Sequence, residues 1–178
     1  LYEDDKVLVR TIPLQHRVYT NGFFFQEKEG ERRLNTEAIA QYPEIQVCDY
    51  QNIKNGKEVM LENGTVVPNS ELTFEPHRPQ SYAYCSDTEY FPNLIEQVRG
   101  VDLLYHEATF GEDLRARLAT TAHSTAREAA TIALKAEVKR LLIGHYSSRY
   151  TDVTPLLDEA RSVFPNTTAA QEGLIIHL

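Results

Sequence analysis

Several residues of metal-ligand type lie at or just after the ends of short apolar runs in the sequence. They are His16, Asp87, His106-Glu107 and His145. Imidazole nitrogens and carboxylate oxygens bind zinc and related divalent cations, and the two oxygens of Asp87 could bridge two ions. A single histidine is more often a structural residue than a ligand. The coincidence of several independent strand ends in one chain therefore favours a metal site.

His123 differs from these residues because it lies two positions before Thr125, at the predicted start of a helix. The positive end of a helix dipole favours neutral imidazole. A neighbouring carboxylate would instead raise the pKa of the ring, and Glu107 is the candidate for that carboxylate. A His–Glu pair of this kind suits proton donation to a leaving group.

A strand–helix–strand unit is predicted to position these histidines. The apolar runs 101–105 and 141–144 favour buried strands, and Thr125 with Glu128 forms a capping box at the start of the intervening helix. Polar groups at strand ends and helix starts are a usual location for sites in such units. We therefore expect the functional residues at one edge of a sheet.

The rest of the chain supplies further predicted elements. We predict strands at 7–12, 81–86 and 174–176, helices at 93–99 and from Thr154-Pro155, and a turn at Asn21-Gly22 that joins the first two strands. Residues 26–80 change in character, with a charged turn, a hairpin signal at Asn63-Gly64 and several prolines. We interpret 26–80 as an arm-like excursion inserted in a single domain, 1–178.

Composition limits the classes of function. With 178 residues the chain can form one domain with a core, and its net charge of −8 argues against coating nucleic acid by charge alone. An enzyme that cuts nucleic acid is not excluded. No apolar run approaches the roughly 20 residues that span a membrane. Cys48 and Cys85 form no CxxC pair, so we predict two reduced thiols and a cytoplasmic protein.

Four motifs together resemble, in order and spacing, the later motifs of ribonuclease Z, the tRNA 3′-processing endoribonuclease of the metallo-β-lactamase superfamily. They are Ser86-Asp87-Thr88, His106-Glu107-Ala108-Thr109-Phe110, His123-Ser124-Thr125 and Gly144-His145-Tyr146-Ser147-Ser148-Arg149-Tyr150. Pro13-Leu14-Gln15-His16, with Gly22 following, is similar to an earlier single-histidine motif of that family. The resemblance covers nearly the whole chain.

The resemblance implies a fold, a site and partners. The fold would be α+β, the C-terminal half of an αββα four-layer sandwich. By this resemblance His16 would bind one metal, His145 would bind a second, and Asp87 would bind both. Glu107 and His123 would form the proton-donating pair. Arg149 and Ser147 would contact phosphate, and His106 and Thr109 would support the site. Two zinc ions, with manganese or magnesium as alternatives, would promote phosphodiester hydrolysis in pre-tRNA. A homodimer is also implied.

Two departures from the family pattern qualify this assignment. The family's HxHxDH metal cluster has no counterpart here, so we expect the chain to be the C-terminal part of such a protein and inactive alone. The apolar face of a half sandwich should then associate with the missing N-terminal half or with a second copy. The arm also lacks a Gly-Pro tip and carries five Lys/Arg against eight Asp/Glu over residues 26–65.

Two alternatives to the endoribonuclease hypothesis remain open. The first is another metallo-β-lactamase-fold hydrolase, such as a phosphodiesterase or an arylsulfatase-like enzyme, which the acidic arm would suit. The second is a non-catalytic fragment that acts as a folding or dimerisation module, which the missing ligands would suit.

Overall fold

The computed structural model describes residues 1–178, which form two compact units, Leu1–Glu27 with Gln80–Leu178 and, separately, Lys28–Pro79. The strands are β1 (Tyr2–Glu3), β2 (Val7–Leu14), β3 (Thr20–Glu27), β4 (Arg33–Leu34), β5 (Val59–Met60), β6 (Val66–Val67), β7 (Thr73–Phe74), β8 (Ser81–Cys85), β9 (Leu103–Glu107), β10 (Arg140–Gly144) and β11 (Thr167–Ala169). The α-helices are α1 (Thr36–Ile39), α2 (Tyr50–Lys54), α3 (Asn69–Leu72), α4 (Asn93–Gln97), α5 (Leu118–Thr121), α6 (Ala126–Lys135) and α7 (Thr154–Arg161). None of these helices has the length and apolar character that a membrane span requires.

The larger unit is built on one mixed sheet of seven strands in the order β1-β2-β3-β8-β9-β10-β11. The first three strands and β8 pair antiparallel, whereas β8 to β11 pair parallel. Parallel neighbours need crossover connections, and α4, α6 and α7 lie in those connections. The predicted strand–helix–strand unit is confirmed as β9, α6 and β10.

One face of this sheet packs against the helices and forms the main core. Helix α6 approaches closely because its inward residues are small, and Ala129, Ala133 and Ala136 are completely buried. Its predicted capping box is confirmed: Thr125 Oγ1 accepts from the Glu128 amide at 3.1 Å, and Glu128 accepts from the Thr125 amide at 3.0 Å. The start of α6 is therefore fixed by its own sequence.

The opposite face of the sheet is aromatic. Phe25 stacks on Tyr82 with ring centroids 5.7 Å apart, and Tyr84 stacks on Tyr105 at 4.7 Å. None of these four rings belongs to the main core cluster, and Tyr84 is 36% exposed. The structure thus confirms a mixed sheet with helices packed on one face.

Two predicted local features are wrong. Asn21 and Gly22 lie inside β3, and the reversal occurs in residues 15–19. A Cβ on Gly22 would lie 2.4 Å from the Tyr84 carbonyl oxygen, so glycine is required there by close approach of neighbouring backbone, not by a turn.

The predicted strand 174–176 is also absent, and the last strand is β11. Leu174 and Ile176 instead line a cleft with Tyr82, Leu103 and Leu142 on the aromatic face. The apolar run therefore reflects packing against the sheet, and strand pairing plays no part in it.

The smaller unit, Lys28–Pro79, has its own core. Its strands form two short pairs, β4 with β7 and β5 with β6. The buried side chains are Ile39, Ile45, Ile53, Val67 and Leu72. The hairpin predicted around Asn63-Gly64 is confirmed, with Gly64 at a φ of +85° between β5 and β6.

Candidate active site

Three of the predicted metal ligands meet at one edge of the seven-stranded sheet. His16 follows β2, Asp87 follows β8 and His145 follows β10 directly. His145 Nε2 lies 3.3 Å from Asp87 Oδ1. The possible ligand atoms of His16, Asp87 and His123 lie within 4.8 Å of one another. The strand ends therefore converge as predicted.

The backbone at this edge is held in an unusual conformation. Asp87, Ala122 and His145 have φ angles of 58°, 54° and 59°, in the left-handed region that residues other than glycine rarely adopt. Glu137 is the only other non-glycine residue with positive φ. Since such conformations persist only where surrounding structure enforces them, their grouping supports this edge as the candidate site.

Each histidine ring of the site is oriented by a hydrogen bond at Nδ1. The His16 Nδ1 donates to the Ala122 carbonyl at 2.8 Å, and the His123 Nδ1 donates to Glu107 Oε1 at 2.9 Å. A carbonyl or carboxylate oxygen can only accept, so Nδ1 carries the proton in both rings. In each of these two rings, Nε2 is then the nitrogen that remains for contact with a bound group.

Thr109 fixes the third ring in the same way. Its hydroxyl donates to Glu107 Oε2 at 2.6 Å, which leaves the oxygen to accept from His145 Nδ1 at 3.0 Å. The Nε2 atom of the same ring lies 3.3 Å from Asp87 Oδ1. Partners of this kind set the tautomer and orientation of histidines that bind metals.

Glu107 is completely buried and remains ionised. Its carboxylate accepts four hydrogen bonds, from the His123 ring, the Thr109 hydroxyl and the amides of Thr88 and Ser124. Burial by itself would raise the pKa of this carboxyl, but the hydrogen bonds together hold the pKa below its usual range. The buried negative charge of Glu107 therefore contacts the His123 ring directly.

His123 lies between the other two imidazoles. Its ring centroid is 5.0 Å from that of His16 and 5.3 Å from that of His145. The hydrogen bond to Glu107 raises the pKa of His123, with the negative charges of Glu107 and Asp87 adding to the effect and burial opposing it. His123 can therefore hold a proton on Nε2 and present it to a group bound at the site.

The remaining predicted residues lie around this centre. His106 is completely buried, donates from Nδ1 to the Glu107 carbonyl at 2.7 Å, and lies outside the possible ligand groups. Burial lowers the pKa of His106. The Ser147 amide donates to the Thr109 carbonyl at 3.0 Å, and Arg149 is exposed without an ion pair.

Sequence reasoning missed several contributors to this geometry. The Ala122 carbonyl orients His16, and Ser124 both donates to Glu107 and, through its hydroxyl, to the Thr88 carbonyl at 2.7 Å. Ser124 and Thr88 belong to the quoted motifs, so a signal for them existed. No sequence signal identifies Ala122, because alanine rarely adopts the left-handed conformation.

The donor set fits a divalent cation. The imidazole nitrogens of His16 and His145 and the carboxylate of Asp87 are the ligand types that zinc and related metals prefer. The orienting bonds at Nδ1 are the arrangement expected around such ligands. These three side chains are fewer than a complete two-metal site would use.

Comparison with known proteins shows which sequences this chain resembles. A family model described as a beta-lactamase superfamily domain matches residues 62–146. The chain is 48% identical over all 178 residues to ribonuclease Z of Phocaeicola vulgatus, covering 57% of that protein. It is 50% identical over 178 residues to ribonuclease Z of Porphyromonas gingivalis W83, covering 58% of that protein.

Solved structures show the same fold at low sequence identity. The metallo-β-lactamase fold protein YhfI of Bacillus subtilis matches 98% of this chain and 50% of its own, with a TM-score of 0.62 and 16% identity. The short form of human tRNase Z matches 99% of this chain and 45% of its own, with a TM-score of 0.55 and 20% identity.

The chain spans less than two thirds of the length of the curated relatives that it matches, and the matched region is their C-terminal part. Over its whole length the chain is therefore similar to ribonuclease Z, and it has part of the metallo-β-lactamase fold.

Proposed function

We propose that this chain supplies part of the active site of a metal-dependent endoribonuclease that matures tRNA 3′ ends. The observation that supports the proposal best is the convergence of His16, Asp87 and His145 beside the Glu107–His123 pair. The similarity to proteins named ribonuclease Z supports RNA as the substrate class.

In this proposal His16, Asp87 and His145 hold divalent cations, with zinc as our first choice and manganese or magnesium as alternatives. Bound divalent cations would polarise the scissile phosphate and lower the pKa of water. Asp87 has two oxygens and can contact two ions. Because the Nδ1 bonds fix the rings of His16 and His145 in advance, little reorganisation would accompany binding.

His123 would donate a proton to the oxygen that leaves the phosphorus. Glu107 stabilises the protonated imidazole before transfer and keeps the ring in position afterwards. Because Glu107 is completely buried, water does not compete for this hydrogen bond. Arg149, which is exposed and follows His145 closely, would contact phosphate together with Ser147.

We further propose that Lys28–Pro79 acts as an arm that contacts pre-tRNA, and that the complete protein is a cytoplasmic homodimer. The separate core of this unit supports an arm-like body. The free thiols of Cys48 and Cys85 suit a reducing compartment. Residues corresponding to the N-terminal part of the relatives would cover the aromatic face and complete the ligand set.

Cleavage of pre-tRNA by the protein that carries this chain tests the proposal. With zinc or manganese present, we expect product with a mature 3′ end and a fall of about 10²–10⁴-fold for His123→Ala, the range typical of a lost general acid. His177→Ala is the matched control, since His177 is exposed and far along the chain from the site. Wild-type protein without cleavage, or equal rates for the two variants, would remove the proposal.

A second candidate is a hydrolase of small phosphodiesters or sulfate esters with the same metal core. It is favoured by the charge of the arm, where residues 28–79 carry six Lys/Arg and nine Asp/Glu. Such a surface repels a polyanion in the absence of cations. Faster turnover of a small diester than of pre-tRNA would select this candidate.

A further inference from the structure

One segment carries two of the groups on which the site geometry depends. We name residues 111–125 the histidine loop. It contains His123, and it also contains Ala122, whose carbonyl orients His16 at 2.8 Å. A displacement of the histidine loop would therefore misplace the proposed proton donor and one proposed ligand together.

The histidine loop has little internal structure to hold it in place. It consists of a 3₁₀ segment, Glu112–Arg117, with a non-helical residue at Leu114, followed by the four-residue helix α5. Neither element buries a side chain completely. Helices this short are unstable unless tertiary contacts support them. The position of the loop must therefore come from side-chain bonds, among them the Arg115 ion pair with Glu128 at 2.8 Å, and from the bonds at its two ends.

One side chain from another element binds both ends. The Glu159 carboxylate of α7 accepts from the Glu112 amide through Oε2 at 2.9 Å and from the Arg127 amide through Oε1 at 2.9 Å. Glu112 lies at the start of the histidine loop, and Arg127 lies just after its end. Two charge-assisted hydrogen bonds to one carboxylate thus hold the two ends of the loop together.

The helix that carries Glu159 is itself firmly placed. Leu156 and Ala160 of α7 are buried in the main core, on either side of Glu159 along the chain. The backbone hydrogen bond from the Ala126 amide to the Phe110 carbonyl, 2.8 Å long, joins the two residues that flank the histidine loop. Glu159 therefore adds a second connection between the two ends of the loop.

We infer that Glu159 is a positioning residue for the candidate site, which acts by holding both ends of the histidine loop and so places His123 and the Ala122 carbonyl. The inference rests on the proposed function for its meaning in catalysis. Glu159 touches neither the proposed ligands nor the proton-donating pair, and its effect passes through the backbone amides of Glu112 and Arg127.

Amide hydrogen exchange in the protein that carries this chain, combined with Zn²⁺ titration, tests this role. For Glu159→Ala we expect exchange at Glu112 and Arg127 to accelerate about tenfold or more, because a hydrogen bond to a charged group is lost at each amide. We also expect Zn²⁺ affinity to fall about tenfold, as for other residues that orient ligands. Asp158→Ala is the control, since that exposed neighbour has no side-chain partner and should change neither quantity.

Glu159→Gln gives a second, milder variant in case the alanine variant does not fold. A glutamine has one accepting oxygen in place of two, so we expect one of the two amides to stay protected and the other to exchange faster. For both variants, amides of β9 and β10 should keep their wild-type exchange rates.

Two outcomes would overturn the inference. One is unchanged exchange at Glu112 and Arg127 together with unchanged Zn²⁺ affinity. The other is equal acceleration across β9, β10 and the histidine loop, which would indicate a general loss of stability. Neither readout involves RNA, so a wild-type protein that cleaves no pre-tRNA would remove the proposed function and leave this test intact.

Discussion

The hydroxyl of Thr109 joins Glu107 to His145: it donates to the carboxylate at 2.6 Å and accepts from the imidazole Nδ1 at 3.0 Å. One side chain thus connects the proposed proton-donating pair with a proposed metal ligand. The two proposed functions are consequently coupled through the hydrogen bonds of one hydroxyl, and disturbance of either should be detectable in the other.

Replacement of Thr109 tests this coupling. Thr109→Val keeps the shape and removes the hydroxyl, which leaves a buried carboxylate oxygen with one partner fewer and His145 free to rotate. We expect a loss of about 1–3 kcal/mol in the free energy of unfolding and a fall of about 10–100-fold in Zn²⁺ affinity. Urea unfolding and metal titration measure these quantities. Thr109→Ser should restore both, and a serine variant as defective as the valine variant would contradict the assigned bonds.

The Glu107–His123 pair predicts a defined pH dependence. The lowered pKa of Glu107 contributes stability that is present above the carboxyl's unfolded pKa and is lost as pH falls through its folded pKa. The raised pKa of His123 contributes stability that is present below the imidazole's unfolded pKa and is lost as pH rises through its folded pKa. Stability from the pair should therefore be greatest between the unfolded pKa of the carboxyl and the unfolded pKa of the imidazole, and should decline towards either folded pKa.

A Glu107→Gln variant should remove this dependence. Without the carboxylate charge, we expect the pKa of His123 in the metal-free protein to fall relative to wild type, as followed by NMR titration of the ring protons. Glu172→Gln, at an exposed position near the C-terminus, is the control. An identical His123 titration in the Glu107→Gln variant and the wild type would show that the pair does not form in solution.

The left-handed backbone at Ala122 predicts opposite effects for two substitutions. Ala122→Gly should be neutral or stabilise the fold by up to about 1 kcal/mol, because glycine adopts a φ of 54° without strain. Ala122→Val should destabilise it by more than about 1 kcal/mol, since β-branched residues resist this conformation. Chemical denaturation gives both values, and a valine variant as stable as the glycine variant would contradict the conformation.

The two thiols should differ in reactivity. Cys85 is completely buried, and burial raises the pKa of its thiol to about 12, whereas Cys48 is exposed. We expect one thiol to react with a disulfide reagent at neutral pH in the folded protein and two in denaturant. A Cys48→Ser variant should then show no fast reaction. Fast labelling of that variant would place Cys85 nearer the surface than the core packing allows.

The sequence predicted the elements that follow from local rules. Thr125 and Glu128 cap α6 because their side chains bond the first amides of the helix, and this chemistry is visible in the order of residues. The apolar runs that became β9 and β10 were recognisable for the same reason. Resemblance to a family then indicated which strand ends are candidates for function, which periodicity alone does not do.

The features that escaped prediction depend on contacts between distant parts of the chain. Gly22 appeared to mark a turn, yet its role is close approach to the Tyr84 carbonyl in the neighbouring strand. The Ala122 carbonyl and the Glu159 carboxylate act on groups brought near them only by the fold. No local pattern distinguishes these residues from ordinary alanine and glutamate.

Anomalous X-ray diffraction at the zinc edge, from crystals of the protein that carries this chain, tests the central claim most directly. The account predicts metal density within about 2.0–2.2 Å of an Asp87 carboxylate oxygen and of the Nε2 atoms of His16 or His145. Zinc peaks bound only elsewhere on the chain, or crystals equilibrated with zinc that show no peak at Asp87, would contradict it.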